Sequence, residues 1–227
     1  MAIDIKIRSV TDLPRFRLQA SVLISLTLAF TQSACQPTRQ SERLTVASAG
    51  RISSLDPALA STTGVLQVLN ALGDTLYIRD NNGKLQPQLA ATKPELSDDG
   101  LSLTIPLRQD VQFHDGSRFD AEAMAFSLRR FLRIGSQRYL VNDRIESIET
   151  PDPFRIRLNL KRPSSSIESL LTSPYLTPVS PKAYANHADR FLNDRFIGTG
   201  PYILSSFRNT QQRLLPFRNY WGPAPRN

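Results

Sequence analysis

The sequence predicts a mixed α/β (α+β) fold, and three patterns along its 227 residues support this prediction. Apolar and polar residues alternate in several segments, most clearly over 154–160, with the period of a half-buried strand. Elsewhere, as over 65–76, apolar residues recur at the spacing of a helix packed on a core. Turn signals such as 80–83 separate the two kinds of segment. A chain of this length can bury a substantial core.

The first half of the mature chain is predicted to contain both element types in succession. A strand over 44–49 precedes a turn at 54–57, and a helix is expected over 64–77. The strand predicted over 101–107 contains Pro106, which cannot donate to a ladder, so we expect a sheet edge or a bulge there. After a turn at Asp115-Gly116, Asp120 is the expected N-cap of an amphipathic helix.

The second half is predicted to begin with two strands, 145–149 and 154–160. A helix is expected over 164–172, and Pro181 is expected to start a short helix that ends by residue 188. A strand over 203–207 should pair antiparallel with a strand over 213–217. The predicted elements therefore include both helices and strands along the mature chain.

The charge of the chain does not point to a nucleic-acid partner. It carries 28 Lys and Arg against 20 Asp and Glu, a net charge of +8. The arginines are scattered through amphipathic segments, with no dense patch and no interleaved aromatic residues. We interpret the net positive charge as a solvated basic surface, which suits a protein located near a membrane.

No residue pattern predicts catalysis or metal binding. His114 lies beside Asp115 without a neighbouring nucleophile or second carboxylate, so we interpret the pair as part of a surface turn. His187 has no companion at ligand spacing, and Cys35 is the single cysteine. We therefore expect no catalytic residue, no metal site and no cofactor. A secreted hydrolase is the enzyme alternative, but no nucleophile motif supports it.

Residues 1–34 are predicted to be a secretory signal peptide. Basic residues precede an apolar run over 20–30 that is too short to span a bilayer comfortably, and Ser33-Ala34 follow. Cys35 comes next and resembles the lipidated cysteine of a bacterial lipobox, although Gln32 replaces the usual bulky aliphatic residue. We predict lipid attachment at Cys35 and a flexible tether over 35–43. The alternative is ordinary cleavage near Ala34, which leaves a free thiol.

Seven motifs occur in an order that identifies a resemblance. They are 44–49 with Ser54-Leu55-Asp56-Pro57, 80–90, 95–104, 107–130 with its core Phe113-His114-Asp115-Gly116, 160–163, Gly198-Thr199-Gly200-Pro201-Tyr202, and 219–222 with Tyr220-Trp221-Gly222. Together they resemble the N-terminal portion of the family 5 extracellular solute-binding proteins of bacterial ABC importers, the oligopeptide, dipeptide and nickel-binding type.

The resemblance implies a periplasmic-binding-protein type II-like fold with two lobes. Segments 44–58 and 175–227 would form part of lobe I, incomplete here, and 59–174 would form a small α/β subdomain inserted into it. Lobe II is expected to be absent from this sequence. A truncated, a partial and a split protein all fit this expectation.

The resemblance also implies a binding function. A peptide would lie between the lobes as an added strand and would be passed to a membrane permease from the periplasm or the outer face of the cytoplasmic membrane. Ser61, Thr62, Thr63 and Gly64 are the candidate ligand contacts, because their hydroxyls and free amides precede a helix; helix capping alone is the alternative role. Nickel, haem or another solute remains open, as does a half-length lipoprotein that acts as an interaction module without solute.

Overall fold

The computed structural model describes residues 45–46, 51–60, 62–190, 192, 194–208 and 210–225. The predicted signal peptide 1–34, Cys35 and its tether, and Ser61 lie outside the described residues, as does most of the strand predicted over 44–49. Within the described part, the chain forms both helices and antiparallel strands. The predicted mixed α/β fold is therefore confirmed.

Two long helices and three single turns make up the α-helical part of the described residues. They are α1 (Thr63–Leu72), α2 (Ala121–Ile134), α3 (Tyr139–Asn142), α4 (Ile167–Leu170) and α5 (Pro181–Tyr184). Short 3-10 turns lie at Pro57–Leu59, Pro174–Leu176 and Ala185–His187. The prolines at 57, 174 and 181 all occupy first-turn positions, where their missing N–H costs no hydrogen bond.

The strands form three antiparallel groups. They are β1 (Tyr77–Arg79), β2 (Leu85–Pro87), β3 (Glu95–Leu96), β4 (Ser102–Pro106), β5 (Ile145–Asp152), β6 (Arg155–Leu160), β7 (Tyr202–Arg208) and β8 (Gln211–Pro216). β1 pairs with β2 and β7 with β8, whereas the central sheet has the order β3-β4-β6-β5. The hairpin predicted from 203–207 and 213–217 is confirmed as β7-β8.

The central sheet buries one face because apolar residues alternate along its two middle strands. Leu103 lies opposite Leu158, and Ile105 lies opposite Ile156, and all four side chains are buried. Pro106 occupies the last rung with Arg155, beyond the end of the β3 ladder, where a missing N–H is tolerated. The buried face packs on α2, which covers the sheet.

Helix α2 begins as the sequence predicts. The Asp120 carboxylate accepts a hydrogen bond from the Ala123 amide at 2.9 Å, and Gly135 ends the helix. Met124, Leu128 and Phe131 are buried in the sheet core, whereas Arg130 is buried toward the other side of the helix. One helix therefore contacts two different interiors.

The described residues form two apolar clusters. The sheet cluster contains the central sheet, the β1 region and one face of α2, with Tyr77, Phe113, Phe119 and Phe131 as its buried aromatic residues. The α1 cluster contains Ile52, Leu55, Ala60, Val65, Leu69, Leu72, Val179, Tyr184 and Phe196. Phe126 of α2 and several side chains of the β7-β8 hairpin pack on the α1 cluster.

Two predicted helices are longer than the observed ones. The helix predicted over 64–77 ends at Leu72, because the next residue, Gly73, has extended backbone angles (φ −148°, ψ 153°). Leu76 then belongs to the sheet cluster instead of a helix face. The helix predicted over 164–172 is observed only as the single turn α4, and Ser166 before it makes no side-chain cap.

The predicted division into lobe I segments 44–58 and 175–227 and a subdomain over 59–174 stays a prediction. All described residues belong to one compact unit. Helix α1, which the prediction assigns to the subdomain, packs its Val65, Leu69 and Leu72 against Val179 and Phe196.

Candidate functional site

The start of α1 contains most of the predicted ligand-contact segment 61–64, and Thr62 and Thr63 face solvent. Thr62 is the N-cap: its hydroxyl accepts a hydrogen bond from the Val65 amide at 3.4 Å. Thr63 is exposed and Gly64 is half-buried. The capping role therefore belongs to Thr62, while the Thr63 hydroxyl and the first amides of the helix are accessible to a ligand. The ligand-contact role of these residues stays a prediction.

A buried carboxylate, Asp56, fixes the chain just before α1. Its Oδ1 accepts from the Ala58 amide at 3.0 Å and so caps the 3-10 turn Pro57–Leu59. Its Oδ2 accepts from the Leu192 amide at 2.9 Å, and the Asp56 amide donates to the Ser54 hydroxyl at 3.1 Å. The motif Ser54-Leu55-Asp56-Pro57 is thus a self-capped turn attached to a distant segment.

Arg130 of α2 forms a two-pronged ion pair with Asp56. Its Nη1 and Nη2 donate to Oδ1 and Oδ2 at 2.8 and 2.6 Å, and both side chains are buried. Nη2 also donates to the Arg190 carbonyl at 2.6 Å, and the guanidinium lies 5.0 Å from the ring centroid of Tyr184. The start of α1 is therefore attached to α2 through a buried, bidentate contact.

A second buried carboxylate, Asp74, lies just after the other end of α1. Its donors come from four side chains in three distant segments, and together with them it is called the Asp74 cluster. The donors are Gln88 Nε2 at 2.9 Å and Tyr220 Oη at 3.1 Å to Oδ1, and Trp221 Nε1 at 2.9 Å and Thr199 Oγ1 at 3.2 Å to Oδ2. The motifs Gly198-Thr199-Gly200 and Tyr220-Trp221-Gly222 thus meet at one carboxylate.

The environment of Asp74 changes its acidity. Burial raises the pKa of its carboxyl to about 6, although hydrogen bonds from Trp221, Tyr220 and Thr199 act in the opposite direction. Burial likewise raises the pKa of the Tyr220 hydroxyl, and the charge of Asp74 adds to that increase. Burial and hydrogen bonding therefore shift the pKa of Asp74 in opposite directions, and burial is the larger influence.

Gly200 allows the 198–200 loop to lie directly on the end of α1. Its amide donates to the Leu72 carbonyl at 3.0 Å, and the Thr199 hydroxyl accepts from the Asp74 amide at 3.3 Å. A Cβ on Gly200 would lie 2.4 Å from the Gly73 nitrogen. Only glycine therefore fits where two backbones approach this closely.

The predicted turn at Asp115-Gly116 is observed, with Gly116 exposed at a φ of 77°, but the His114 and Asp115 side chains are half-buried and contact other segments. The His114 amide donates to the Gly198 carbonyl at 2.9 Å, and its Nε2 lies 3.0 Å from the Gly200 carbonyl oxygen. Burial lowers the pKa of the His114 ring. Asp115 accepts from the Ser180 hydroxyl at 2.6 Å. The turn is a joint between the segment before α2 and residues 180–200.

Sequence reasoning missed Asp74 and the Asp56–Arg130 pair. Asp74 follows a run of apolar residues and precedes another, and the sequence alone gives it no partner. A signal for the pair did exist: Arg130 falls on the apolar face of α2, one helical turn after Phe126, where an unpaired arginine would be costly to bury. Only the fold identifies the partner of Arg130, because Asp56 is 74 residues away in sequence.

Two general features of the described part concern membranes and metals. No helix in it has the length and apolar character needed to cross a bilayer. Nor do any three His, Cys, Asp or Glu residues in that part gather as a metal site requires.

Solved structures with the same fold define the class of this protein. The PBP AgaA in complex with agropinic acid, from A.tumefacien R10, matches with a TM-score of 0.70 at 29% identity, over 77% of this chain and 35% of that chain. NikA from Brucella suis in complex with Fe(III)-EDTA matches with a TM-score of 0.69 at 31% identity, over 78% and 36%. The fold is that of a type II periplasmic binding protein, and the match covers part of a lobe.

Sequence comparisons then give the family. The profile of bacterial extracellular solute-binding proteins, family 5 Middle, matches residues 84–227. The glutathione-binding protein GsiB of Salmonella paratyphi A is 32% identical over 188 residues, which are 82% of this chain and 36% of that protein. The chain belongs to family 5 of the extracellular solute-binding proteins, as its ordered motifs predict, and it spans 36% of the length of this curated relative.

Proposed function

We propose that this chain acts as a substrate-binding component of an ABC importer, which captures a short peptide or a related small solute and delivers it to a membrane permease. Membership of family 5 supports the transport class. The name of the similar GsiB protein of Salmonella paratyphi A makes glutathione the first solute to test.

The observation that carries the proposal is the exposed start of α1 on a rigid support. Thr62 and Thr63 face solvent, and helix-start amides and hydroxyls suit a peptide carboxylate or carbonyl. Asp56 before the helix and Asp74 after it are both buried and hydrogen-bonded to distant segments. A contact surface that is held at both ends loses little conformational entropy when a solute binds.

Uptake measurements in the source cell test this function. Import of labelled glutathione and of mixed tri- to pentapeptides would be compared between the wild-type strain and a strain that lacks the gene. We expect the deletion to abolish import of at least one of these solutes. Unchanged import of all of them would contradict the transport function and favour an interaction module that binds no solute.

A point variant tests the site separately. Thr63→Glu adds bulk and negative charge at the proposed contact, while an acidic residue in the first helical turn suits the helix dipole and leaves the fold intact. We expect import to fall about tenfold, the equivalent of about 1.4 kcal/mol. Thr210→Glu, on an exposed turn of the hairpin, is the matched control and should import normally. Normal import by Thr63→Glu would remove this site and leave the transport function standing.

We also propose that the protein is exported and attached to the membrane by lipid at Cys35, a residue outside the described part. The apolar run before Ser33-Ala34 and the position of Cys35 support this proposal. Membrane fractionation of wild type and Cys35→Ala checks it. The wild-type protein should sediment with membranes and the variant should be soluble; identical distributions would contradict lipid attachment.

A further inference from the structure

A cavity of about 450 Å³ lies at the end of α1, at the far end of this helix from the proposed solute contact. Three segments line it: Asn70 of α1, Ile78 and Arg79 of β1, and Thr172 and Pro174 after α4. Clefts of this size hold small ligands in many proteins, and a few polar groups decide which ligand fits. The lining groups therefore identify the class of ligand.

Hydrogen bonds between the lining segments fix the walls of the cavity. Arg79 Nη1 donates to the Gly83 carbonyl at 2.7 Å and Nη2 donates to the Ser169 hydroxyl at 2.6 Å, which joins the β1-β2 turn to α4. The Tyr77 amide at the start of β1 donates to the Leu171 carbonyl at 3.3 Å. The wall is therefore formed before a solute arrives, and binding there orders little of the chain.

Arg79 supplies a positive charge that no described carboxylate neutralises. Its two hydrogen bonds go to neutral oxygens, and it forms no ion pair with any residue that the structure describes. A guanidinium has five N–H donors in one plane, so three remain for a ligand, and a carboxylate matches their spacing. Six other solvent-accessible arginines each pair with a carboxylate: Arg108, Arg129, Arg133, Arg155, Arg157 and Arg195.

The negative charges near the cavity do not occupy its interior. None of the residues that line it is acidic. Gln88 lines the cavity and donates to the Asp74 carboxylate at 2.9 Å, but Asp74 is only 2% exposed. Glu168 of α4 is exposed, so water screens its charge. Arg79 is therefore the one charged group that lines the cavity.

The remaining lining groups indicate the rest of the ligand. Ile78 is 44% exposed beside Arg79, and together with Pro174 it offers apolar surface. The Asn70 side-chain amide forms no hydrogen bond with any described residue, so it can both donate to a ligand and accept from it. One cation, one amide and an apolar wall suit a short molecule that carries a carboxylate, an amide and an aliphatic side chain.

We propose that this cavity binds a small carboxylate-bearing solute of the size of an N-acylated amino acid, with its carboxylate on Arg79 and its apolar side chain on Ile78 and Pro174. The amide of the solute hydrogen-bonds to Asn70. A carboxylate–guanidinium pair is charge-assisted and stronger than a neutral hydrogen bond, so the carboxylate carries most of the selectivity. The site is separate from the start of α1 and does not depend on the proposed import function.

N-Acetyl-leucine and N-acetyl-leucinamide are a matched pair of probes, because a neutral amide replaces the carboxylate in the second. Each would be titrated into the whole chain, with binding followed by calorimetry and by the NMR signals of the arginine Nε–H groups. We expect N-acetyl-leucine to bind with a Kd of about 1 mM, as its small size allows, and the amide to bind at least about tenfold more weakly. No binding of N-acetyl-leucine, or equal binding of the two probes, would overturn the proposal.

Variants locate the binding of N-acetyl-leucine. Arg79→Met removes the cation and should weaken binding about tenfold, whereas Lys84→Met, an exposed cation of the same hairpin, is the matched control and should bind normally. Thr63→Glu changes the start of α1 and should also bind normally. Binding that is lost in Thr63→Glu but kept in Arg79→Met would assign the probe to the start of α1 and overturn this site.

Asn70→Asp provides a test that keeps the hydrogen bonds of Arg79 in place. It adds a negative charge to the cavity wall with little change in shape, so it should weaken binding of N-acetyl-leucine about tenfold. Asn142→Asp makes the same change in net charge at an exposed position of α3 that does not line the cavity, and it should bind normally. Equal effects of the two variants would reflect net charge alone and would overturn the proposal.

Discussion

The sheet cluster and the α1 cluster are built on different principles. The sheet cluster is formed by alternating apolar side chains on β4 and β6 and by one face of α2. The α1 cluster is smaller, and buried polar contacts attach it to its surroundings: the Asp56–Arg130 pair at one end of α1 and the Asp74 cluster at the other. Apolar burial is non-directional, whereas buried hydrogen bonds fix a particular arrangement. The comparison indicates that the sheet region supplies stability and the α1 region supplies a defined orientation.

The largest expected effect comes from breaking the buried Asp56–Arg130 pair. Arg130→Met leaves the Asp56 carboxylate buried without its partner, which should cost about 3–5 kcal/mol in the free energy of unfolding. Arg129→Met removes the exposed neighbour, and should change it by less than about 1 kcal/mol. Urea unfolding of the two variants measures the difference. Equal stabilities would show that the buried pair does not hold α1 in place.

A double variant tests whether the loss of stability in Arg130→Met comes from the unpaired charge of Asp56. Asp56→Asn combined with Arg130→Met removes both charges, so no uncompensated buried charge remains. We expect it to be more stable than Arg130→Met alone, because replacing a whole buried pair is often close to neutral. A double variant that is less stable than the single one would assign the loss to packing and not to charge.

The next effect lies in the sheet cluster. Leu158→Ala opens a cavity in the buried face of β6, and such changes cost about 2–5 kcal/mol. Leu215→Ala, on the β7-β8 hairpin, removes a side chain that is 45% exposed and should cost less than about 1 kcal/mol. Thermal or urea unfolding compares them. Similar losses would mean that the hairpin belongs to the same rigid core as the central sheet.

The smallest expected effects come from replacing two glycines, one required by a close backbone contact and the other by a positive φ. Gly200→Ala places a methyl group 2.4 Å from backbone at Gly73, an overlap that should cost about 1–3 kcal/mol or more. Gly116→Ala meets open space but must adopt a φ of 77°, which should cost about 1–2 kcal/mol. The two variants also differ in fluorescence. Only Gly200→Ala should expose Trp221 to acrylamide, since it alone displaces the loop that contacts Asp74. Unchanged quenching in Gly200→Ala would separate the loop from the Asp74 cluster.

The sequence predicts the elements whose signals are local. The cap at Asp120, the turn with Gly116 and the alternation along 154–160 each depend on neighbours a few residues apart, and each is confirmed. The predicted helix over 64–77 is too long because Leu76 continues the helical spacing of α1. Nothing local shows that Leu76 packs in the sheet cluster, so periodicity alone places the end of α1 wrongly.

The candidate site follows the same division. Residues 61–64 were selected from the sequence because hydroxyls precede a helix, and the structure places Thr62 at its cap and Thr63 in solvent. The residues that hold this segment could not be selected in the same way. Asp56 has the local signal of a turn residue, but its ionic partner lies 74 residues away. Asp74 carries no local signal of its own.

The sequence by itself determined the family, through motifs that occur in a fixed order, and the positions of most helices and strands. Only the tertiary structure shows which side chains of those motifs contact one another. It brings Asp56 to Arg130, and Asp74 to Thr199, Tyr220 and Trp221, across separations of 74 to 147 residues. The physical reason is that turn chemistry and hydrophobic period act between neighbours, whereas a buried polar group is satisfied by whichever segment the fold places beside it.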